Sequence, residues 1–180
     1  MITREELLSA QTAAAQLITL AGFVLAEGER SKIEVADFGL GAVAVEGAQI
    51  LTLVQTGRIG VKLIALTPWQ TLPEHWHPQV GSDPGKEETV RVLSGVLHFY
   101  VAGPDTLSVG RIPRGKEACY TLRHELLLRP GDQVACEPGE KHWFQGGPKG
   151  AVAFSFSSVA RDVLDQFTDS AVRRVTEVRD

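Results

Sequence analysis

From residue 50 onward the chain is a succession of short apolar and β-branched runs with nothing helical between them. That rhythm restricts the folds open to it more than any other feature. The runs fall at residues 50–54, 59–66, 88–93, 96–101, 120–122, 126–128, 133–136, 143–145 and 151–157, and they are rich in residues that suit a pleated, half-buried surface. Turn signals separate them: Thr56-Gly57, Pro84-Gly85, Ser94-Gly95, Pro130-Gly-Asp132, Pro138-Gly139 and Gly146-Gly-Pro148. Strands so closely spaced, with no crossover helices, predict an antiparallel sandwich or small barrel.

The N-terminal part reads differently. Thr3 and Glu6 match a capping box, and Leu7, Leu8, Ala14 and Leu17 recur at roughly helical spacing. One or two helices over residues 4–25, ending near Gly28, are expected, followed by a glycine-rich passage from Gly39 to Gly47. The organisation predicted is a helical extension and lead-in at 1–47, a mainly all-β barrel at 48–160, and a C-terminal tail at 161–180 that packs on the barrel. The tail is short and charged, with a helical turn around residues 162–167. At 180 residues the chain suffices for one well-buried domain.

The net charge of −4 offers no basic field for phosphate backbones, so nucleic acid is excluded as a partner. No run is apolar for long enough to cross a bilayer, and Glu5 and Glu6 stand where a signal peptide carries basic residues. A cytoplasmic protein with no membrane partner is the expectation. Cys119 and Cys136 are the only cysteines and read as reduced thiols in strands.

The residues that carry chemistry lie in Leu72-Pro-Glu-His-Trp-His-Pro78, Lys86-Glu-Glu88 and Pro138-Gly-Glu-Lys-His142. On a strand, alternate residues share a face, so His75 and His77 point together while Trp76 points away. Three imidazoles and one carboxylate converging on one point make a divalent metal site with room left for substrate. Lys86 lies two residues before Glu88 and faces the same interior. A lysine beside a metal needs an anionic partner or a task, such as bonding a substrate hydroxyl or stabilising a developing oxyanion. His98 reads as packing and His124 as surface. Trp76 and Trp143 alternate away from the ligands, and Phe144 has the better claim to the pocket.

The order H-x-H, E-x6-G, P-G-D and P-G-x-x-H resembles the two-part signature of the cupin superfamily. The gap from His77 to Glu88 is eleven positions, longer than usual, and Ser82-Asp-Pro-Gly85 reads as an inserted loop. The resemblance implies a double-stranded β-helix, or jelly-roll barrel, with His75, His77, Glu88 and His142 as metal ligands. A divalent ion so held has a net charge of about +1, and an octahedral one keeps two adjacent positions for water or substrate oxygens.

Several segments also resemble the D-lyxose isomerase family of cupins. They are Asp37-Phe-Gly-Leu40, the 72–78 and 86–88 motifs, His142-Trp-Phe-Gln145, Phe156-Ser157, Arg161-Asp162, Asp165 and Phe167-Thr-Asp169. The likeness runs from about residue 35 to the C-terminus. That family interconverts D-lyxose with D-xylulose, and often D-mannose with D-fructose, usually with Mn²⁺. The resemblance implies a metal that chelates O1 and O2 of the open-chain sugar while a proton passes through a cis-enediol. It implies Lys86 as a catalytic residue, Phe144, Gln145 and Asp165 near the substrate, and by analogy a homodimer joined at sheet edges. Donor type alone leaves Fe²⁺, Zn²⁺, Ni²⁺ and Co²⁺ open beside Mn²⁺. The family places a glutamate, a candidate proton carrier, two residues before the serine that matches Ser157; here that position is Ser155. Glu125 and Glu140 are candidates to replace it. An iron-dependent dioxygenase and a non-catalytic sugar-binding cupin are the alternative readings, the latter favoured by Ser155.

Overall fold

The computed structural model describes residues 1–180. The chain opens with β1 (Ile2–Thr3), α1 (Arg4–Leu20), a single turn α2 (Glu29–Lys32) and β2 (Glu34–Ala36). Then come β3 (Ala48–Gln55), β4 (Ile59–Leu66), β5 (Thr71–Trp76), β6 (Glu88–Val101), β7 (His124–Leu128), β8 (Gln133–Cys136) and β9 (His142–Ser158). Two short strands, β10 (Gln166–Phe167) and β11 (Val178–Arg179), close the chain, and β11 pairs with β1.

The capping box sets the start of α1. Thr3 Oγ1 accepts the Glu6 N–H at 3.1 Å, and Glu6 Oε2 accepts the Thr3 N–H at 2.7 Å, so two otherwise unpaired donors are satisfied reciprocally. The helix lays Ala14 and Ile18 on Leu51, Leu63, Ala65 and Val152 of the sheet beneath it. It stops at Leu20, earlier than the sequence periodicity predicts, and the single turn α2 lies beyond the expected helical range.

The main sheet is antiparallel throughout, in the order β10-β5-β9-β4-β3-β2, with β6 joined to β7, β8 and β9. β6 and β9 are 14 and 17 residues long, and each runs the length of the barrel. The first part of β9 pairs with β5 and its second part with β4, while β6 follows it from Glu88↔Ser157 to Tyr100↔Trp143. This is the double-stranded β-helix of a cupin. Strand alternation sorts the faces: Ile64 and Leu66 of β4 enter the barrel core, whereas Leu63 and Ala65 lie under α1. Cys119 and Cys136 are both free thiols. No helix is long and apolar enough to cross a membrane.

The strand runs separated by Ser94-Gly95 and by Gly146-Gly-Pro148 are continuous strands with bulges, not hairpins. Gly95 has φ +78°, and a Cβ there would lie 2.2 Å from the Gly150 carbonyl oxygen. β6 and β9 therefore approach so closely that only glycine fits, and the left-handed backbone bends β6 without ending it. Residues 120–122, expected as a strand, form a loop whose Thr121 and Leu122 N–H groups donate to Glu74 Oε2 at 2.7 and 2.9 Å. The tail makes a tight turn at Asp162–Leu164 and then adds β10 to the edge of β5.

Gly95→Ala is expected to destabilise the protein by about 3 kcal/mol or more, since overlap adds to backbone strain. Gly81→Ala is the control: φ is +60° but nothing lies within 4 Å of the added Cβ, so only about 1–2 kcal/mol of strain is expected. Denaturant melts of the two variants compare these directly, and equal losses would contradict the close-crossing explanation.

Candidate metal centre and active site

Three strand ends bring the candidate ligands to one place. His75 lies in β5 and His77 one residue beyond its end, while Glu88 and His142 are the first residues of β6 and β9. His75 and His142 are direct partners in the β5–β9 ladder, with ring centroids 4.3 Å apart. All four side chains are buried, and their ligand atoms lie within 4.8 Å of one another.

The hydrogen bonds around the rings select which nitrogen faces the centre. His75 Nδ1 lies 2.9 Å from the Pro73 carbonyl oxygen, His142 Nδ1 lies 3.0 Å from the Glu140 carbonyl oxygen, and His77 Nδ1 lies 2.8 Å from Asp165 Oδ1. An acceptor at each Nδ1 requires the proton there, which leaves the Nε2 lone pairs free. His77 Nε2 and His142 Nε2 lie 3.3 and 3.6 Å from Glu88 Oε2. His142 Nε2 is buried with no hydrogen-bond partner. An orphaned buried polar atom costs about 1–3 kcal/mol, and this one aims at the shared centre. Three imidazoles and a carboxylate so arranged can hold a divalent metal ion.

The protonation states of Glu88 and His75 agree with that use. Burial alone would raise the Glu88 pKa, but the Lys86 ammonium and then the adjacent His142 and His77 imidazoles hold it well below the usual range. Burial, followed by the neighbouring His142 and His77, pushes His75 well below its ordinary value, so this ring is a neutral donor. Burial works against His77⁺, yet its bonds to Asp165 and Glu88 outweigh that and raise its pKa.

Ser155 faces this centre. Its hydroxyl donates to Glu88 Oε1 at 2.5 Å, and Lys86 Nζ donates to the same oxygen at 3.2 Å. Oε1 is thereby occupied and Oε2 is turned toward the histidines. Lys86 is buried, with Asp162 Oδ1 3.5 Å from its ammonium. Burial opposes its charge, but the carboxylates of Glu88, Asp165 and Asp162 outweigh burial and raise its pKa.

A cavity of about 40 Å³ adjoins the centre, lined by His75, Lys86, Glu88, Phe144 and Asp165, together with Lys62, Asp162, Phe167 and Arg174. That space suits a few water-sized bodies rather than a sugar, so a larger ligand must displace side chains on the rim. Phe144 and Asp165 both line this cavity. Gln145 does not. It sits on the opposite face of β9, where Nε2 donates to Thr71 Oγ1 at 2.7 Å and to the Arg111 carbonyl at 2.8 Å, and Oε1 accepts the Arg111 N–H at 2.9 Å. Its amide is saturated away from the cavity, as alternation from His142 and Phe144 requires.

Neither proposed replacement for the family glutamate reaches the cavity. Glu125 is held by the N–H groups of Ser108, Val109 and Gly110 and by Tyr100 Oη. Glu140 closes an exposed turn by accepting the Glu137 N–H. Three polar lining residues escaped the sequence reading: Lys62, Asp162 and Arg174. Lys62 did leave a signal, as a charged residue at an inward position of the apolar strand β4. Asp162 and Arg174 left none, because they come from the tail that crosses the barrel mouth.

No protein-family model matches the chain. It is 51% identical to the D-lyxose ketol-isomerase of Cohnella laeviribosi over 162 residues, which are 89% of each chain. The chain belongs to the D-lyxose ketol-isomerase family. A D-lyxose/D-mannose isomerase of Thermosediminibacter oceani is 40% identical over the full length of both chains. Among solved structures, the L-ribose isomerase of Cellulomonas parahominis superposes with a TM-score of 0.78 at 18% identity, covering 99% of this chain and 98% of that one. The L-ribose isomerase of Acinetobacter sp. DL28, solved with L-ribose, also gives 0.78, at 17% identity and the same coverage. These structures share the fold of the family.

His142→Ala is expected to abolish stoichiometric binding of a divalent ion, read by elemental analysis after dialysis. Asp165→Ala removes the acceptor that orients His77 and is expected to weaken the metal by about 10–100-fold in a competition titration. Full retention of metal by both variants would contradict the geometry described.

Proposed function

We propose that the protein is a metal-dependent aldose–ketose isomerase acting on D-lyxose and D-xylulose, and secondarily on D-mannose and D-fructose. His75, His77, Glu88 and His142 hold its ion, for which Mn²⁺ is the first choice. The single observation that carries this reading is the convergence of those four buried ligand atoms within 4.8 Å, in a chain 51% identical to a D-lyxose ketol-isomerase over 89% of its length.

When bound, a divalent ion supplies Lewis acidity to a carbonyl oxygen of the open-chain sugar. The chain's own groups do the rest. Lys86 stays protonated among its carboxylates, and its Nζ–H groups bond the sugar oxygen on which negative charge develops. Ser155 keeps Glu88 in one orientation through its bond to Oε1. Phe144 and Phe167 give the cavity an apolar wall, which excludes water and strengthens the polar contacts inside. An aldose and its ketose differ only in the placement of hydrogens, so no second substrate is needed.

The test is reconstitution with Mn²⁺ followed by a panel of pentoses and hexoses, with ketose formation measured. D-Lyxose is expected to turn over fastest. No turnover on any sugar by protein that retains its metal would remove the proposal. Lys86→Met is expected to keep the ion and to lower kcat by about 10²–10⁴-fold, and an unchanged kcat would remove Lys86 from the mechanism.

A further inference from the structure

An aldose–ketose isomerisation needs a group that takes a proton from one carbon and returns it to the next. Ser155 faces the centre but is spent on orienting Glu88. The cavity holds three carboxylates, Glu88, Asp162 and Asp165. Glu88 faces the imidazoles at the centre, and Asp165 fixes His77 through Nδ1. Asp162 alone touches neither a candidate ligand atom nor the outer nitrogen of a ligand.

The other ionisable groups of the cavity do not fit the task. His75 is turned to the Pro73 carbonyl through Nδ1 and belongs to the ligand set, and Lys62, Lys86 and Arg174 are basic side chains each engaged with a carboxylate. We propose that Asp162 is the catalytic residue that carries the proton between C2 and C1 of the sugar. This assignment rests on the isomerase reading above.

The surroundings of Asp162 suit that role. Its Oδ2 pairs with Lys62 Nζ and lies 3.8 Å from Arg174 Nη2, while its Oδ1 lies 3.5 Å from Lys86 Nζ. Burial would raise its pKa, but Lys86 and then Lys62 outweigh that, so it rests as the carboxylate, the form that accepts a proton. The contact between Oδ1 and Lys86 is long for a charged hydrogen bond. A sugar that displaces this contact would place a hydroxyl oxygen on the lysine and the adjacent C–H on the carboxylate. Asp162 opens the turn Asp162–Leu164 of the tail, which leads into β10 on the edge of the strand that carries His75. The segment that covers the cavity therefore also delivers the one carboxylate that touches no candidate ligand.

The step balances without any further reagent. In the aldose-to-ketose direction the C2–H bond breaks and its proton passes to a carboxylate oxygen of Asp162. The C–H electron pair becomes the C1–C2 double bond, and the π pair of the C1 carbonyl moves onto O1, which takes up the proton of the O2 hydroxyl. The O2 lone pair then forms the C2 carbonyl, and the C1–C2 π pair recovers the proton from Asp162 at C1. Asp162 ends as the carboxylate it began as.

The test uses the full chain loaded with Mn²⁺, comparing wild type, Asp162→Asn and Asp162→Glu. Three readouts are needed beside kcat: metal content, calorimetric binding of D-lyxose, and deuterium incorporation from D₂O at C1 and C2 by NMR. Asp162→Asn is expected to keep its metal, to bind D-lyxose within about threefold of wild type, and to lose kcat and deuterium exchange by about 10²–10⁴-fold. Asp162→Glu keeps a displaced carboxylate and is expected to retain part of both. Turnover and exchange by Asp162→Asn within about threefold of wild type would overturn the assignment. If Asp162→Asn does not fold, Asp162→Glu decides: a kcat lowered more than about tenfold with KM little changed supports the role, and an unchanged kcat overturns it. A wild type that binds metal yet converts no sugar overturns the isomerase reading itself, an outcome distinct from a variant as active as its parent.

Discussion

A carboxylate buried among three imidazoles is the constraint around which the rest of this molecule is arranged. An ionised group in the interior costs several kcal/mol unless paired and hydrogen-bonded. Glu88 meets that demand with its two oxygens used differently: Oε1 receives Ser155 and Lys86, and Oε2 faces His77 and His142. The imidazoles in turn need acceptors at Nδ1, and two of the three come from backbone carbonyls one strand residue or turn away, at Pro73 and Glu140. These are parts of the scaffold itself, so the orientation of the rings follows from the path of β5 and of the turn before β9. Such support is what keeps a metal site in shape before the ion arrives.

The architecture makes this convergence possible. Glu88 and His142 begin the two longest strands, which run side by side through the barrel, and His75 is paired directly to His142 across the ladder. One side of the cluster is thus closed by sheet. The other is covered by the tail, which supplies Asp162, Asp165, Phe167 and Arg174. Phe167 stacks on His75 at 5.7 Å between centroids, so the covering segment is packed against the centre rather than draped over it. The L-ribose isomerases superpose over nearly the whole chain at 17–18% identity, which shows how far the barrel tolerates change outside its pattern.

The β architecture was legible because antiparallel strands read in a period of two, and that period also places His75 and His77 on one face. The spacing of His75, His77, Glu88 and His142 was legible for the same reason, since each stands at or near a strand end marked by a turn. The same rule sends Gln145 outward with Trp143, against the family motif, which implies a place near the substrate. A glycine after serine looks alike in a turn and in a bulge, and at Gly95 only the close approach of Gly150 distinguishes them. Lys62 showed itself as a charge at an inward position but drew no attention within an apolar run. Asp162 and Arg174 were out of reach, since long-range packing of an irregular tail leaves no local period in the chain.

The proposed centre sets three imidazoles and one carboxylate around a single ion. X-ray absorption at the metal edge of Mn²⁺-loaded protein measures that directly. The expected first shell contains three imidazole nitrogens, recognisable by scattering from the outer ring atoms, with the remainder oxygen. A shell of oxygen alone, or a protein that keeps no ion through gel filtration, would contradict it.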